Sequence, residues 1–176
     1  MNLFWCHGYE ATSIQDLVEG MGINRSSLYG TFGDKHALYL AALERYQAIV
    51  GAQFLTILEQ PGSAKAAIRR VFESVVEESL ADGLHRGCLM TNSAVERAPH
   101  DADIAARIAA NVDGTEAAFY RALSRAQAAG EIDSGDPRAR ARFLVNALHG
   151  LRVMAKATAD RAVLEDVAAV TLSVLD

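Results

Sequence analysis

Cysteine is scarce in this chain of 176 residues: Cys6 and Cys88 stand alone, 82 positions apart. Neither a disulfide framework nor a four-cysteine zinc site can be built from such a pair, so reduced thiols are expected. No apolar run approaches the roughly 20 residues that cross a bilayer. The stretch from Met1 to Tyr9 also lacks the basic start and apolar core of a signal peptide, so a cytoplasmic protein without a membrane partner is expected. Catalytic signatures are missing as well. The histidines His7, His36, His85, His100 and His149 are scattered, and His85 with Cys88 lacks the further ligands a zinc site needs. Asp101 and Asp103 beside His100 read as an acidic helix start. With no phosphate-binding glycine loop and no assembled nucleophile, base and acid, no enzyme activity, cofactor or metal is expected.

Proline is equally rare, at 3 residues, while alanine reaches 32 of 176. Alanine has the highest helix propensity and its share is about twice ordinary usage, so an all-α chain is expected. Hydrophobic residues at 51% against 22% charged give an ordinary globular balance. The net charge of −5 argues against indiscriminate nucleic-acid binding and leaves a local contact patch open.

Glycine, proline and short polar residues divide the chain into eight or nine helices. Leu3 to His7 read as the last turn of a helix stopped by Gly8. Thr12-Ser13-Ile14-Gln15 reads as a capping box that opens a second helix, carrying Ile14, Leu17, Val18 and Met21 on one face and ending at Gly22. Asn24 then caps a third helix from Arg25 to about Phe32, and Gly33-Asp34 stops it and caps a fourth. The fourth carries the stripe Leu40, Leu43, Tyr46, Val50, Phe54 and Ile57 toward Pro61. Further helices are expected near 64–80, 88–97, 102–129, 137–158 and 161–175, with a weak point at Gly114 in the longest of them.

Two short helices around a glycine turn, the second opened by small polar residues, form the arrangement that places a recognition helix in the major groove of DNA. From Gly8 to Leu43 the chain closely resembles the N-terminal domain of the TetR/AcrR family of bacterial repressors. The resemblance is carried by Gly8-Tyr9, Thr12-Ser13-Ile14, Leu17-Val18, Gly22-Ile23, Leu28-Tyr29, Phe32, Lys35 and Leu38. It implies an N-terminal three-helix helix-turn-helix domain over 1–45, its first helix shortened, and a C-terminal helical bundle over 46–176 for ligand sensing and dimerisation. Arg25, Ser26 and Ser27 would reach bases or phosphates from the start of the recognition helix. Thr12, Tyr29 and Lys35 would touch phosphate, with Thr31 a further candidate. Leu17, Val18, Leu28 and Phe32 read as core.

The partners implied are double-stranded operator DNA, a small-molecule effector and a second copy of the chain. Val167 to Leu175 carries no charge on any face and must be covered by a core or a subunit. Together with Phe143 to Met154 it implies a homodimer through the last two helices, whose two recognition helices would match successive major grooves of a palindromic operator. Candidate linings of an effector cavity are Phe72, Val76, Cys88, Asn92, Phe119, Tyr120, His149 and Arg152. Cys88 reads either as an inert buried thiol or as a redox switch. One alternative remains open. The first 50 residues hold three cationic side chains against five acidic ones, and only the end of a first helix is present, which also fits a helical sensor or partner-binding dimer that has lost DNA binding.

Overall fold

The computed structural model describes residues 1–81, 83 and 85–176; Asp82 and Leu84 lie outside it, so the turn expected between Gly83 and Gly87 falls partly outside the described residues. Among the described residues the chain is helical throughout, with no strand, as expected: α1 Asn2–His7, α2 Ile14–Met21, α3 Arg25–Phe32, α4 Lys35–Leu58, α5 Ala64–Ala81, α6 Leu89–Glu96, α7 Ala102–Ala128, α8 Pro137–Ala157 and α9 Arg161–Leu172. Short 3-10 turns follow α6 at Ala98–His100 and α9 at Ser173–Leu175.

The boundaries of the first four helices follow from local chemistry. Ser13 caps α2 with its side chain accepting from the Asp16 N–H, and Asp16 returns the bond to the Ser13 N–H at 2.7 Å. This capping box is one residue later than the expected Thr12–Gln15 pairing, because Thr12 folds back to donate its hydroxyl to the Gly8 carbonyl at 2.6 Å. Gly22, at φ 65°, supplies the left-handed turn that ends α2. Asn24 caps α3 by accepting from the Ser27 N–H at 2.8 Å, and Asp34 caps α4 by accepting from Ala37 at 2.7 Å. α7 runs unbroken through Gly114.

Two apolar clusters organise the packing. The larger is built from α5, α7, α8 and α9 with the end of α4, and Phe72, Phe119, Leu123, Leu144, Leu148 and Leu164 lie at its centre. The second holds Phe4, Leu17, Val18, Leu28, Leu38, Tyr39, Leu43 and Tyr46, and is closed by Cys88, Leu89 and Met90 at the start of α6 and by Ile104 of α7. It is therefore not confined to the first 45 residues. α1, although only six residues long, seats Phe4 against Tyr39 with ring centroids 4.9 Å apart and Trp5 against Tyr46 at 4.9 Å. Burying a side chain such as Phe4 stabilises by about 1.5–3 kcal/mol, so the short helix still supplies the packing behind α2 and α3.

Candidate functional site

α3 is held by one fully buried side chain, Leu28, with Phe32 half-buried at its end. Arg25, Ser26, Ser27, Tyr29 and Thr31 are exposed, so the helix presents one continuous polar surface outward. Arg25 donates to the Gln15 side chain of α2 at 3.3 Å, which fixes the guanidinium beside the α3 N-terminus. Unpaired backbone N–H groups and the helix dipole favour an anion there. Lys35 is partly buried, with its ammonium 4.3 Å from the Tyr9 ring centroid. Thr12 differs from the expectation: it is 1% exposed and its hydroxyl is bonded to Gly8, so that hydroxyl braces the loop before α2 instead of facing a phosphate.

The helix-turn-helix is gripped from behind by α6. Glu96 accepts the backbone N–H groups of Tyr9 and Glu10, each at 2.9 Å. Arg97 pairs with Glu10 and lies 4.5 Å from the Tyr9 ring centroid. Burial raises the Tyr9 pKa, with Arg97 working the other way. Higher on α6, the Ser93 hydroxyl meets the buried Tyr39 hydroxyl of α4 at 2.6 Å, and burial pushes Tyr39 up to about 12. His36 at the start of α4 joins Asp101, the cap of α7, at 2.9 Å. Asp101 also accepts from the Ile104 N–H, so the acidic pair near His100 does open a helix. His36, Asp101 and Asp103 are the one group among the described residues with metal-ligand proximity, and the shared carboxylate is already occupied by His36, Arg97 and Ile104.

The eight candidate cavity residues do not share one site. Cys88, His149 and Arg152 line a small cavity of about 40 Å³ with Tyr46, Val50, Phe54, Asn111, Thr115 and Leu148. Phe72 and Phe119 stack on each other at 6.3 Å inside the core, and Val76 lies with them in the same cluster. Tyr120 borders a separate cavity of about 520 Å³ beside Leu55, Arg121 and Arg125. Asn92 donates to the Arg86 carbonyl at 2.9 Å and holds the strand of chain before α6. Helical spacing predicted which side chains turn inward but not which of two cores receives them.

Within the small cavity, Arg152 donates to Cys88 Sγ at 3.3 Å, and Thr91 Oγ1 lies 2.8 Å from His149 Nδ1. Burial and the nearby Arg152 charge lower the His149 pKa. Tyr46, Asn111 and Thr115 were missed as linings. Tyr46 sits in the α4 stripe, where its spacing reads as core, and only the crossing of α4, α6, α7 and α8 brings it to the cavity. The same segment is tied to α1, since Trp5 donates its indole N–H to the Gly87 carbonyl at 3.0 Å.

A helix-turn-helix with an exposed recognition helix, locked to an all-helical partner domain that contains cavities, defines a class of protein: the two-part transcriptional regulators. A family model described as bacterial regulatory proteins of the tetR family matches residues 1–42, and one described as a tetracyclin repressor-like C-terminal domain matches residues 64–171. The chain belongs to the TetR family of bacterial transcriptional regulators. It is 40% identical over its whole length to the HTH-type transcriptional regulator YezE of Bacillus subtilis (strain 168), covering 92% of that protein. It is 32% identical over 98% of its length to the HTH-type transcriptional repressor ComR of Escherichia coli (strain K12), covering 83% of that protein. Among solved structures it resembles the TetR family regulator CifR, a cysteine mutant complexed with 26-base-pair double-strand operator DNA. That likeness has TM-score 0.88 and 28% identity, over 99% of this chain and 92% of the other. These similarities run against the alternative of a sensor dimer without a DNA reader.

Proposed function

We propose that the chain is a ligand-responsive repressor that binds a palindromic operator as a homodimer. The observation that carries this reading is α3, seated by the buried Leu28 and the half-buried Phe32 and presenting Arg25, Ser26, Ser27, Tyr29 and Thr31 to solvent beside the partly buried Lys35. Arg25 and the two serines would contact base edges and the adjoining phosphate, while Tyr29 and Lys35 would contact phosphate. The functional division falls near residue 45, with 1–45 reading DNA and 46–176 sensing and dimerising, although the apolar core crosses that line through α6.

Dimerisation is supported by the uncovered side of α8 and α9. Phe143, Val153 and Met154 on α8 and Val163 and Val170 on α9 are exposed, and Val170 reaches 72%. The charge-free stretch from Val167 to Leu175 is thus covered on one side only, by Ala168, Thr171, Leu172 and Leu175, which face the chain's own core. Such an apolar strip on neighbouring helices fits a four-helix contact between two copies.

Repression would be relieved through differential binding: an effector in the sensor half favours a spacing of the recognition helices that no longer fits the operator, with a coupling of about 1–3 kcal/mol. α6 is placed to transmit it, since its first residues line the small cavity and core while its last residues hold Tyr9 and Glu10.

Fluorescence anisotropy against DNA upstream of the chain's own gene, at low and moderate salt, tests the reading. Saturable binding that weakens with salt and is lost in an Arg25→Ala/Tyr29→Ala variant is expected, and Lys35→Ala should flatten the slope of log affinity against log salt by about 1. Absence of binding at micromolar protein and low salt would overturn it.

A further inference from the structure

Arg25, Lys35 and Arg45 are the cations of the first 50 residues, against five acidic side chains, so each cation that reaches DNA counts heavily. Lys35, the first residue of α4, is held in an uncommon way. Its Nζ lies 4.3 Å from the centroid of the Tyr9 ring, and among the described residues no carboxylate pairs with it. The neighbouring charges are engaged elsewhere. Glu10 pairs with Arg97, Asp101 accepts from Arg97 at 3.5 Å, and Asp34 caps α4 through the Ala37 N–H. A carboxylate beside Lys35 would localise the ammonium by cancelling its charge. A ring face attracts it through the quadrupole and leaves the charge intact for a phosphate.

The ring is itself fixed from several sides. Tyr9 meets Tyr39 of α4 edge-on at 4.9 Å and stacks on Phe4 of α1 at 6.2 Å. From the sensor half, Glu96 accepts the Tyr9 N–H at 2.9 Å, and the Arg97 guanidinium lies 4.5 Å from the ring centroid. With its own charge answered by Glu10 and Asp101, Arg97 shares the ring with Lys35 at little mutual repulsion. Lysine is rich in rotamers, and a side chain localised before DNA arrives loses less freedom on binding than one that must be caught from solvent.

We propose that Tyr9 is a positioning residue for DNA binding: its ring holds the Lys35 ammonium, still fully charged, in place for an operator phosphate, and the grip of Glu96 and Arg97 on Tyr9 lets α6 set that place. The phosphate half rests on the regulator reading above, whereas the hold of the ring on the ammonium does not. A helix-turn-helix poor in cations thereby delivers one of them with its charge unspent. A shift of α6 would carry the ring with it and weaken the phosphate contact even at unchanged spacing of the recognition helices.

The test places phenylalanine and its mono-, di- and trifluorinated forms at position 9 of the full-length chain. Fluorine drains the ring face of electron density while barely changing its shape, so the fold is kept. In anisotropy titrations against DNA upstream of the chain's own gene, Tyr9→Phe should bind within about twofold of the wild type, and affinity should fall stepwise to about fivefold weaker with the trifluorinated ring. The same series in a Lys35→Ala background should be flat. Tyr9→Leu should flatten the slope of log affinity against log salt by about 1, as Lys35→Ala does. A series without trend in the Lys35 protein would reduce the ring to packing and overturn the proposal. A trend that persists in Lys35→Ala would assign the effect to Arg97 and overturn it equally. A readout without DNA covers the other half: ring current should move the Lys35 ε-methylene protons upfield in the wild type and in Tyr9→Phe. Unshifted protons would overturn the hold. Failure of the wild type to bind any operator would strike the regulator reading and the phosphate half with it, while an upfield Lys35 signal would still support the hold of the ring.

Discussion

Glu96, the last residue of α6, accepts the backbone N–H of Tyr9 through Oε2 at 2.9 Å, and its other oxygen takes the N–H of Glu10. Two otherwise orphaned donors of the loop before α2 are thereby bonded to a carboxylate 86 and 87 positions away. Gly8 makes room for this contact: a Cβ there would meet Glu96 Oε2 at 2.8 Å, and the backbone φ is 82°. In Glu96→Ala the Tyr9 and Glu10 amides should exchange with solvent at least about tenfold faster, while Glu96→Gln, which keeps one acceptor, should fall between. Amide exchange followed by NMR or mass spectrometry checks this, and unchanged protection would detach α6 from the helix-turn-helix.

Tyr39 and Ser93 join α4 to α6 inside the core. Ser93→Ala leaves the buried Tyr39 hydroxyl without its 2.6 Å partner and should cost about 1–3 kcal/mol in urea unfolding. Adding Tyr39→Phe should recover most of that loss, because both polar groups are then gone. A double variant no more stable than Ser93→Ala would remove the hydroxyl pair as the cause.

His149 gives stability a pH dependence. Its folded pKa is lowered, by burial first and Arg152 second, from an ordinary value of 6.5. Below about that pH the unfolded chain takes up a proton that the folded one resists, so stability is full above the ordinary value and falls as pH drops toward the folded pKa. Thermal melts from pH 7.5 to 5 should show a steeper loss for the wild type than for His149→Asn. Parallel curves would refute the assignment.

Val170 and Phe143 test the uncovered strip of α8 and α9. Their replacement together by Glu should shift sedimentation from dimer to monomer while leaving the helical circular dichroism intact, since neither side chain is in the chain's own buried core. Operator affinity should fall by well over tenfold, because one half-site contact is lost from the paired recognition helices. A dimer that survives both charges would place the interface elsewhere.

The sequence by itself determined the pieces whose causes are local. α2 ends at Gly22 and α3 begins and ends where Asn24 and Gly33 place it, because caps and tight turns are decided by a few neighbouring atoms, while the α2 cap fell on Ser13, one residue past the expected Thr12. The face of α3 that stays in solvent was equally readable, since Leu28 and Phe32 are the large apolar residues of that helix that turn toward the core, Leu28 buried and Phe32 half-buried. Tertiary structure alone decided which core each inward side chain entered: Phe72, Val76 and Phe119 joined the larger one, while Cys88 and Arg152, 64 positions apart, met at the small cavity. It also moved the Thr12 hydroxyl from a phosphate to the Gly8 carbonyl and made α6 the joint between the two halves. Helical periodicity fixes the direction in which a side chain leaves its helix, but the partner it meets depends on how helices distant in sequence cross.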